Sequence, residues 1–526
     1  GYGGRAVRPG RGGAPMNGFG SGTVFASRDL AGLLAGFATA PAGLEVSDVS
    51  LDSHAVQRGG LFLACAGRRT HGLVGAQAAI AAGARAVLWE PAPGVSAPQS
   101  LDGRAFVAPV PDLSRHAGSI AARFFGAPSA ALTVAGITGT NGKTTSAWLL
   151  AQALGQTGRR CGYVGTLGVG LPPAVTPGEY TTADAVAVQR QLAALRAAGA
   201  DCVAMEVSSH ALDQARVDAV QFRVAAFTNL TRDHLDYHGT MAAYGAAKAR
   251  LFAWPTLQAR VFNVDDAFGA ALAAAAAPGR RIVVSRSAAG AGAAATLAVG
   301  GALALHAGSV RATPAGLAFR VSGGCGAAEV AIPLIGDFNV DNALLVLGCL
   351  LALELPLESA VAALAHCRAP SGRMEAIGGG TQPLAIVDYA HTPDALAKAL
   401  LAARAHCRGR LHVVFGCGGE RDAGKRAQMG AIAAQLADAI VLTDDNPRGE
   451  SPQLIVAAIL AGLPGGVHAE VVHDRERAIR LALSNAAADD VVLVAGKGHE
   501  DYQLAGDQRR PFSDQQVVRA TLAGAA

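Results

Sequence analysis

Hydrophobic and polar positions follow changing periods along the chain, and these changes divide it into segments. In the first segment the pattern predicts a helix over residues 30–37, a buried strand over 60–65, an alanine-rich helix that ends at Gly83 and a strand over 86–89. Short strands that alternate with helices are typical of a small α/β unit. We therefore predict a first domain over residues 22–110.

The second segment begins with a helical period over residues 113–125, which Gly126, Ala127 and Pro128 interrupt before an apolar strand over 132–137. Further strands alternate with helices, which is typical of a mostly parallel sheet covered on both faces. These strands are predicted over residues 202–207, 224–230 and 261–264.

The rest of this segment has a different pattern. Between residues 282 and 333 short stretches are punctuated by glycines and favour a hairpin-rich subregion, and a helix over 339–353 follows it. The central domain is thus predicted over residues 111–369.

Strand and helix alternate again after residue 370, which predicts a doubly wound α/β domain over residues 370–526. In such sheets ligands bind beyond the carboxyl ends of the strands, and the polar motifs of this segment follow strands. The strands are predicted over residues 384–389, 411–415, 439–443, 470–473 and 491–495.

The opening residues 1–21 have another composition. They are rich in Gly and Arg, contain Met16 and lack the apolar core of a signal peptide. We expect a disordered extension or an upstream-translated leader that takes no part in the fold.

Composition and charge narrow the class of protein. A chain of 526 residues favours about three domains. The net charge of +4 from 44 basic and 40 acidic residues, without a long Lys/Arg block, argues against a nucleic-acid partner. The longest apolar runs, residues 270–277 and 344–353, fall short of the roughly 20 residues that span a bilayer, so we expect no membrane insertion. The 8 cysteines form no C-x-x-C pair, which argues against a zinc site or a disulfide framework and favours the cytoplasm.

Candidate chemistry begins at the loop after the strand over residues 132–137. The loop leads into a helix over 146–154, so backbone N–H groups and the helix N-terminus face an anion. Lys143 can neutralise the β- and γ-phosphates, and Thr144 can bind Mg²⁺. Ile137 stands where the strict G-x4-G-K-[ST] pattern has its first glycine. The arrangement predicts nucleotide binding but no particular reaction.

Later strands end in groups that could bind a metal. Glu206 closes one strand, where a carboxylate suits Mg²⁺. His234 follows the next strand, and Lys248 lies on a helix predicted over residues 241–252. From the residues alone, Lys248 could equally be a solvated lysine and His234 a structural histidine. For His238 we favour the structural interpretation.

The motif Gly-Thr-Asn-Gly-Lys-Thr at residues 139–144 resembles the variant loop shared by Mur ligases and folylpolyglutamate synthetases, which activate a carboxylate as an acyl phosphate. The resemblance extends from about residue 42 to residue 512 in the motif order of the Mur ligase family. It implies an α/β fold with a small UDP-binding domain, a central P-loop ATPase-like parallel sheet and a C-terminal Rossmann-like doubly wound domain.

The resemblance also implies site residues around ATP and Mg²⁺. The catalytic residues would be Lys143, Glu206, His234 and Lys248. The metal ligands would be Thr144, Glu206, His234 and Lys248, the last as an N6-carboxylysine formed with CO₂. ATP would be bound by Gly139, Thr140, Asn141, Gly142, Lys143, Thr144, Thr145, Asn339, Arg373, Asp388 and His391.

A second implied set would bind the UDP-muramoyl substrate. Arg216 offers the planar fork that suits a carboxylate. The chain departs from the family at Ala183, where proline is usual after the threonine pair, and at His54, where arginine is common. The set is Ser53, Asn141, Thr181, Thr182, Ser208, Gln214 and Arg216.

A third implied set would choose the amino acid. The distal carbon of meso-diaminopimelate carries an ammonium and a carboxylate, so a selective pocket needs a donor fork and an acidic acceptor. Lysine lacks that carboxylate and would leave buried guanidinium charge unpaired. In the family, Asp-Asn-Pro-Arg marks the diaminopimelate adders. The set is Arg421, Asp445, Asn446, Pro447, Arg448, Gly496 and Glu500.

The activity that the resemblance implies is the ATP-dependent addition of meso-diaminopimelate to the D-glutamyl carboxylate of UDP-N-acetylmuramoyl-L-alanyl-D-glutamate, by a monomer in the cytoplasm. Two alternatives stay open. One is a related ligase that adds lysine or another residue, or extends folate with glutamate. The other is a P-loop nucleotide-binding protein without ligase activity.

Overall fold

The computed structural model describes residues 25–67, 70–96, 103–178, 180–277, 279–313 and 315–524. The expectation of a disordered extension over residues 1–21 lies outside the described residues. Three sheets of four or more strands follow one another along the described part of the chain, one in each domain, as the sequence predicts. In the described part of the chain, no helix is long and apolar enough to cross a membrane.

The strands of the first domain are β1 (Arg28–Asp29), β2 (Glu45–Val46), β3 (Val49–Ser50), β4 (Leu61–Ala64), β5 (Ala86–Trp89) and β6 (Phe106–Pro109), and the helices that pack with them are α1 (Leu30–Leu34), α2 (Ala76–Ala81) and α3 (Leu113–Phe124). The domain is built on a parallel sheet in the order β3-β4-β5-β6, with a small antiparallel pair β1-β2 beside it. Helix α3 packs its apolar face on this sheet through Ile120 and Phe124, although the sequence pattern places it at the start of the second segment.

The central domain contains the largest sheet. Its strands are β7 (Thr133–Thr138), β8 (Cys161–Gly165), β9 (Gly168–Leu171), β10 (Ala174–Thr176), β11 (Cys202–Glu206), β12 (Phe222–Phe227), β13 (Ala259–Asn263), β14 (Arg280–Ser285), β15 (Leu303–Thr313), β16 (Gly316–Gly323) and β17 (Gly326–Ile332). Its helices are α4 (Lys143–Gln156), α5 (Ala185–Ala197), α6 (Ser209–Asp213), α7 (Leu235–His238), α8 (Met241–Ala249), α9 (Ala267–Ala275), α10 (Ala288–Val299), α11 (Phe338–Ala352) and α12 (Leu357–Ala365).

Both faces of the central sheet are buried, because alternate residues of each strand point to opposite sides. In β7, Ala135 and Ile137 belong to the core beneath α4 and α11, whereas Val134 belongs to the opposite core. The strand order is β10-β9-β8-β11-β7-β12-β13-β14-β15-β16-β17, and β8, β11, β7, β12, β13, β14 and β15 run parallel. Strand β7 therefore lies inside the sheet, and the loop that follows it opens at the carboxyl edge.

The hairpin-rich subregion predicted over residues 282–333 is present as the antiparallel strands β15, β16 and β17, but the pattern missed a helix. Residues 288–299 form helix α10 ahead of these strands. Ser287 caps this helix by accepting a hydrogen bond from the N–H of Gly290 at 3.0 Å. The segment is so rich in Ala and Gly that it carries no clear hydrophobic period, which is why the pattern missed the helix.

The strands of the third domain are β18 (Glu375–Gly378), β19 (Leu384–Asp388), β20 (Leu411–Phe415), β21 (Ala439–Leu442), β22 (Glu470–Val471), β23 (Val491–Ala495), β24 (Tyr502–Ala505) and β25 (Gln508–Pro511). The domain is doubly wound, as predicted, with the sheet order β18-β19-β23-β20-β21-β22. All strands of this sheet except the edge strand β18 run parallel. The helices are α13 (Pro393–Arg404), α14 (Lys425–Leu436), α15 (Pro452–Leu460), α16 (Arg475–Ser484) and α17 (Asp514–Gly524).

Candidate active site

The loop between β7 and α4 depends on two glycines with left-handed backbone. Gly139 has φ +148° and Gly142 has φ +83°. A Cβ at Gly139 would overlap the Thr228 hydroxyl, and a Cβ at Gly142 would overlap the Asn342 carboxamide. Because no side chain fits at either position, backbone N–H groups stay accessible in front of the helix, where an anion binds favourably.

Lys143 is folded onto this loop. Its Nζ donates to the carbonyls of Gly139 at 2.9 Å and Thr140 at 2.8 Å. Burial lowers the pKa of Lys143, and the nearby carboxylates Glu206 and Asp233 oppose that change. An ammonium held only by carbonyls of its own loop can exchange them for the stronger interaction with phosphate oxygens.

Glu206, at the end of β11, is fully buried and accepts several hydrogen bonds. Thr144 Oγ1 donates to Oε2 at 2.9 Å, and Thr166 Oγ1 donates to the same oxygen at 3.3 Å. Tyr163 OH and the N–H of Thr166 donate to Oε1 at 2.5 and 2.8 Å. Thr144 and Glu206 are therefore brought together as predicted, and their oxygens are ligands that Mg²⁺ prefers.

Lys248 reaches the same loop from helix α8. It is 1 % exposed, and its Nζ donates to the carbonyl of Gly139 at 2.7 Å. Burial, together with the charge of Lys143, lowers the pKa of Lys248 to about 6. An amine with such a pKa is largely neutral at pH 7, which is the state that can react with CO₂.

His234 lies near this group without contacting it directly. It has left-handed backbone with φ 51°, and its ring centre is 6.0 Å from that of Tyr244. Tyr244 in turn shares a hydrogen bond of 3.2 Å with Thr140 of the loop. His234 is exposed, and Asp233 is within 3.5 Å of its ring.

Three of the predicted metal ligands, Thr144, Glu206 and Lys248, thus lie at one loop with His234 near them, but the four do not form a cage of protein ligands. In the part of the chain that the structure describes, no group of three or more His, Cys, Asp or Glu side chains could hold a metal ion. Thr144 and Glu206 fit Mg²⁺ as a partial set, because this ion commonly keeps waters and substrate phosphates among its ligands.

A cavity of about 470 Å³ adjoins the loop and is shared by two domains. Asn141 and Gly142 of the loop line one side, and Arg373 and Asp388 of the third domain line the other. Its other lining residues include Asn229, Thr231, Asn263, Phe338, Asn339, Asp341, Asn342 and Lys398. The size and the mixture of apolar and polar groups suit a nucleotide.

The predicted nucleotide residues differ in how they take part in this cavity. Asn339 is buried, and its Nδ2 donates to the carbonyl of Ile335 at 2.8 Å. Asp388 accepts from the N–H groups of Met374 and Ala390, each at 2.8 Å. Asp388 therefore holds the backbone around Arg373 in place.

Two further predicted residues lie at the same strand end. The guanidinium of Arg373 stacks 4.8 Å from the ring centre of Tyr389, and its Nε is buried without a hydrogen-bond partner among the described residues. His391 is exposed, outside the residues that line the cavity, and its ring contacts the carbonyl of Tyr389 at 2.8 Å. An orphaned buried guanidinium N–H at a cavity wall indicates a missing acceptor such as phosphate.

The predicted muramoyl residues form a chain of contacts on the other side of Glu206. Thr182 Oγ1 donates to the carbonyl of Glu206 at 2.9 Å and accepts from the N–H of Ser208 at 3.2 Å. Arg216 donates to the carbonyl of Thr182 at 2.8 Å and to Gln214 Oε1 at 2.6 Å. Thr181 approaches from the same loop, since its hydroxyl lies 3.0 Å from that of Thr166.

A second cavity, of about 610 Å³, connects Gln214 and Arg216 with the first domain. On the first-domain side it is lined by Leu51, Cys65, Ala66 and Ser114, among others. Ser53 is not one of its lining residues and instead lies against Gly75, where a Cβ would stand 2.6 Å from the Ser53 hydroxyl.

The amino-acid residues predicted in the third domain gather at the carboxyl ends of β20, β21 and β23. Asn446 Nδ2 donates to Glu500 Oε2 at 2.8 Å. Gly496 has φ +119°, and a Cβ there would stand 2.6 Å from Asp445 Oδ2. The carbonyl oxygen of Pro447 approaches Gly419 of the neighbouring loop so closely that a Cβ at Gly419 would overlap it.

Arg448 is held across two loops. It has left-handed backbone with φ 53°, and its Nη1 donates to the carbonyl of Gly419 at 2.8 Å. Its neighbour Arg421 is exposed, and both side chains border Gly418: a Cβ there would be 3.0 Å from Arg448 Nη1 and 3.7 Å from Arg421 Cγ. The guanidinium of Arg448 therefore lies beside this glycine, where it can bind a carboxylate.

Several residues that bind the predicted site residues were not themselves predicted. Tyr163 and Thr166 bind Glu206 from the strand and turn beside it, and Lys497 binds Glu500 at 3.0 Å. Glu450 accepts a bidentate ion pair from Arg426 at 2.6 and 2.7 Å, and this hydrogen bonding lowers the pKa of Glu450 to about 2. The sequence does carry one sign of Lys497: it belongs to the segment Gly-Lys-Gly-His-Glu at residues 496–500, which follows a strand in the doubly wound domain.

Comparison with known proteins is consistent with this arrangement. Three family models match successive segments that together make up more than half of the chain. They are the Mur ligase family, catalytic domain (residues 45–125), the Mur ligase middle domain (137–350) and the Mur ligase, glutamate ligase domain (372–498). A UDP-N-acetylmuramoyl-L-alanyl-D-glutamate--2,6-diaminopimelate ligase of Ectopseudomonas mendocina is 49% identical over 487 residues, 93% of this chain and 96% of that protein. The protein of the same name from Xanthomonas campestris is 50% identical over 480 residues, 91% of this chain and 94% of the relative.

Solved structures show the same architecture. The structure of a UDP-N-acetylmuramoyl-L-alanyl-D-glutamate--2,6-diaminopimelate ligase superposes with a TM-score of 0.70 at 33% identity and covers 95% of this chain and 99% of its own. A folylpolyglutamate synthase of Mycobacterium tuberculosis superposes with a TM-score of 0.52 at 17% identity, covering 73% of this chain and 92% of its own. The second likeness concerns the fold alone.

Proposed function

The chain belongs to the Mur ligase family, and from that premise we propose how its residues carry out the step that its relatives' names describe. It is an ATP-dependent ligase of peptidoglycan precursor synthesis that adds diaminopimelate to UDP-N-acetylmuramoyl-L-alanyl-D-glutamate. The finer proposal concerns the meso isomer, the acyl phosphate and the residues that hold each group.

The observation that carries the proposal is the cavity shared by two domains. Its walls include Asn141 and Gly142 of the phosphate loop and Arg373 and Asp388 at the end of β19. A nucleotide in this cavity would place its phosphates between Lys143 and Arg373. Closure of the third domain on the nucleotide would then bring the amino-acid pocket toward the central domain.

The proposed reaction proceeds in two steps. A carboxylate is a poor electrophile, so an oxygen of the D-glutamyl γ-carboxylate attacks the γ-phosphorus of ATP, and ADP leaves. The amine at the L-centre of meso-diaminopimelate then attacks the acyl carbon, loses a proton and displaces inorganic phosphate. Lys143 stabilises the negative charge on the transferred phosphoryl group.

Mg²⁺, when bound, would neutralise charge on the nucleotide phosphates, and Thr144 and Glu206 are the residues that would hold it. Lys248 would join them as a carbamate, because its buried amine is positioned on the same loop. In the carbamate, neutral Nζ forms a bond to the carbon of CO₂ and releases one proton. His234 is proposed as the remaining ligand.

The proposed muramoyl site extends from Thr181, Thr182 and Ser208 through Gln214 and Arg216 toward the first domain. Arg216 lines the second cavity, where its guanidinium can bind a carboxylate of the peptide stem. Ser53 would act at the uridine end. The proposal further includes a monomer with small-molecule partners and a cytoplasmic location, where ATP and nucleotide-activated sugars are made.

Phosphate release tests this order of events and excludes a non-catalytic nucleotide-binding protein. We expect sustained release of phosphate only when Mg-ATP, the UDP-muramoyl dipeptide and meso-diaminopimelate are all present. Omission of either organic substrate should stop turnover. Sustained release with only one organic substrate would contradict the proposed order, and ATP binding without any release would favour the non-catalytic alternative.

Arg448 is predicted to determine the affinity for diaminopimelate. Replacement by alanine removes a guanidinium that borders the pocket, so the KM for meso-diaminopimelate should rise about 10- to 100-fold, as expected for a charge-assisted hydrogen bond. Because the phosphate loop is untouched, the KM for ATP should stay nearly constant.

The measurement is steady-state kinetics with each substrate varied in turn. Arg480→Ala is the matched control, because Arg480 pairs with Glu476 on an exposed helix face of the same domain. An Arg448→Ala enzyme with an unchanged KM for diaminopimelate would show that this arginine does not bind the distal carboxylate.

A further inference from the structure

Lys497, just after β23, is a fully buried lysine at the proposed amino-acid site of the third domain. Its side chain is 0% exposed, and its Nζ donates to Asn446 Oδ1 at 3.1 Å and to Glu500 Oε2 at 3.0 Å. The same ammonium lies 5.4 Å from the ring centre of Tyr502. A buried ammonium is tolerated where charged and polar acceptors surround it, so this lysine is tied to its partners.

The two oxygens of Glu500 are used unequally. Lys497 and Asn446 both donate to Oε2, at 3.0 and 2.8 Å. Among the described residues, no donor reaches Oε1. Glu500 remains 18% exposed, so ligand access to this carboxylate is open. One oxygen is thus fixed by the protein, and the other keeps its capacity to accept a hydrogen bond.

Several charged side chains surround Glu500. Arg475 is fully buried and binds Asp514 through two hydrogen bonds of 2.7 and 2.8 Å. Burial raises the pKa of Asp445, while the charges of Arg475 and Lys497 oppose the rise. Among the described residues, Lys497 is the cation that binds Glu500 directly, through Oε2. Glu500 Oε1 is therefore the oxygen available to an ammonium ligand.

We infer that Lys497 is a positioning residue for the amino-acid substrate: it holds Glu500 Oε2 so that Oε1 can accept a hydrogen bond from the distal ammonium of diaminopimelate. The inference rests on the proposed function. Lys497 itself does not touch the substrate. Its effect passes through Glu500 and Asn446, both of which it binds directly.

The first test is Lys497→Met, which keeps the length of the side chain and removes the ammonium. The KM for meso-diaminopimelate should rise about 30-fold, the effect expected when a charged hydrogen bond loses its geometry. The KM for ATP should stay within about twofold, because Lys497 is not among the residues that line the nucleotide cavity. Arg480→Met serves as the matched control, since Arg480 pairs with Glu476 on the exposed face of α16.

A substrate analogue separates positioning from a general structural effect. 2-Aminopimelate keeps the reacting amine and the distal carboxylate but lacks the distal ammonium. Lys497→Met should therefore add at most about a threefold increase to the KM for 2-aminopimelate, because the contact that Lys497 supports is already missing. Equal increases in the KM for both substrates would overturn the inference.

A double variant keeps the test valid if Lys497→Met is unstable on its own. Lys497→Met/Glu500→Gln removes both charges of the pair together, so no carboxylate is left without its cation. Its KM for diaminopimelate should match that of Glu500→Gln alone. A further tenfold increase over Glu500→Gln would contradict the inference, and a wild-type enzyme that forms no diaminopimelate product would instead contradict the proposed function.

Discussion

Replacement of Lys143 by methionine is expected to reduce kcat/KM by about 10³-fold or more, because one preorganised charge at the transferred phosphoryl group is removed. In the structure this ammonium is held only by the carbonyls of Gly139 and Thr140. Methionine has nearly the same length and fits the same space, so the fold of the loop should survive. The measurement is the initial rate of product formation with each substrate varied in turn, with circular dichroism and thermal unfolding as checks on folding.

The control for this variant is Lys425→Met. Lys425 lies at the start of α14, away from the phosphate loop, and donates to the carbonyl of His391 at 2.8 Å. The Lys425→Met variant loses a lysine but no charge beside the phosphates, so its kcat should change far less. A Lys143→Met enzyme that kept activity within tenfold of the wild type would contradict the role of Lys143 in phosphoryl transfer.

Replacement of Lys248 by alanine is expected to reduce kcat by about 10²- to 10³-fold, which is the usual effect of removing one preorganised group from an active site. If the side chain acts as a carbamate, the lost group is an anion. Acetate or formate added to Lys248→Ala should then restore part of the activity, whereas methylamine should not. Rescue by methylamine alone would show that the residue acts as an ammonium.

The carbamate itself can be observed in the wild-type enzyme by ¹³C NMR after equilibration with ¹³C-bicarbonate. Because burial lowers the pKa of Lys248 to about 6, its amine is neutral above that pH and is protonated below it. The carbamate signal should therefore persist at neutral pH and fall as the pH decreases through about 6. The Lys143→Met variant is the comparison, because it lacks the lysine of the phosphate loop and should keep the carbamate signal of Lys248.

The phosphate loop could be predicted from sequence because its determinants are local. A strand, two glycines with left-handed backbone and a helix stand in one stretch of the chain, and the structure has α4 beginning at Lys143 as a phosphate loop requires. The strand ends of the third domain were predicted for the same reason. In a parallel doubly wound sheet, every residue that follows a strand lies at the same edge.

The residues that were missed depend on contacts between distant parts of the chain. Tyr163 reaches Glu206 because β8 and β11 pair in parallel with Val164 opposite Met205, a register that no local pattern reveals. The sequence does not predict Lys497 as a site residue, because a lysine is ordinarily solvated. Its burial follows from the packing of the loops after β21 and β23, which the sequence does not encode in any short motif.

Ser53 marks the limit of transferring a role by motif alone. The second cavity is lined by Leu51, two residues before Ser53, but the Ser53 hydroxyl lies beside Gly75. Its role at the uridine end stays a prediction. His391 is comparable, because it follows β19 as expected but lies outside the residues that line the nucleotide cavity.

The central claim is that this chain joins diaminopimelate, and not lysine, to the muramoyl dipeptide. The most direct measurement is the mass of the product formed when the protein is incubated with Mg-ATP, UDP-N-acetylmuramoyl-L-alanyl-D-glutamate and equal concentrations of meso-diaminopimelate and L-lysine. The proposed function predicts one predominant product, with the mass of the dipeptide substrate plus diaminopimelate minus one water. A lysine adduct in equal or greater amount, or no adduct with either amino acid, would contradict it.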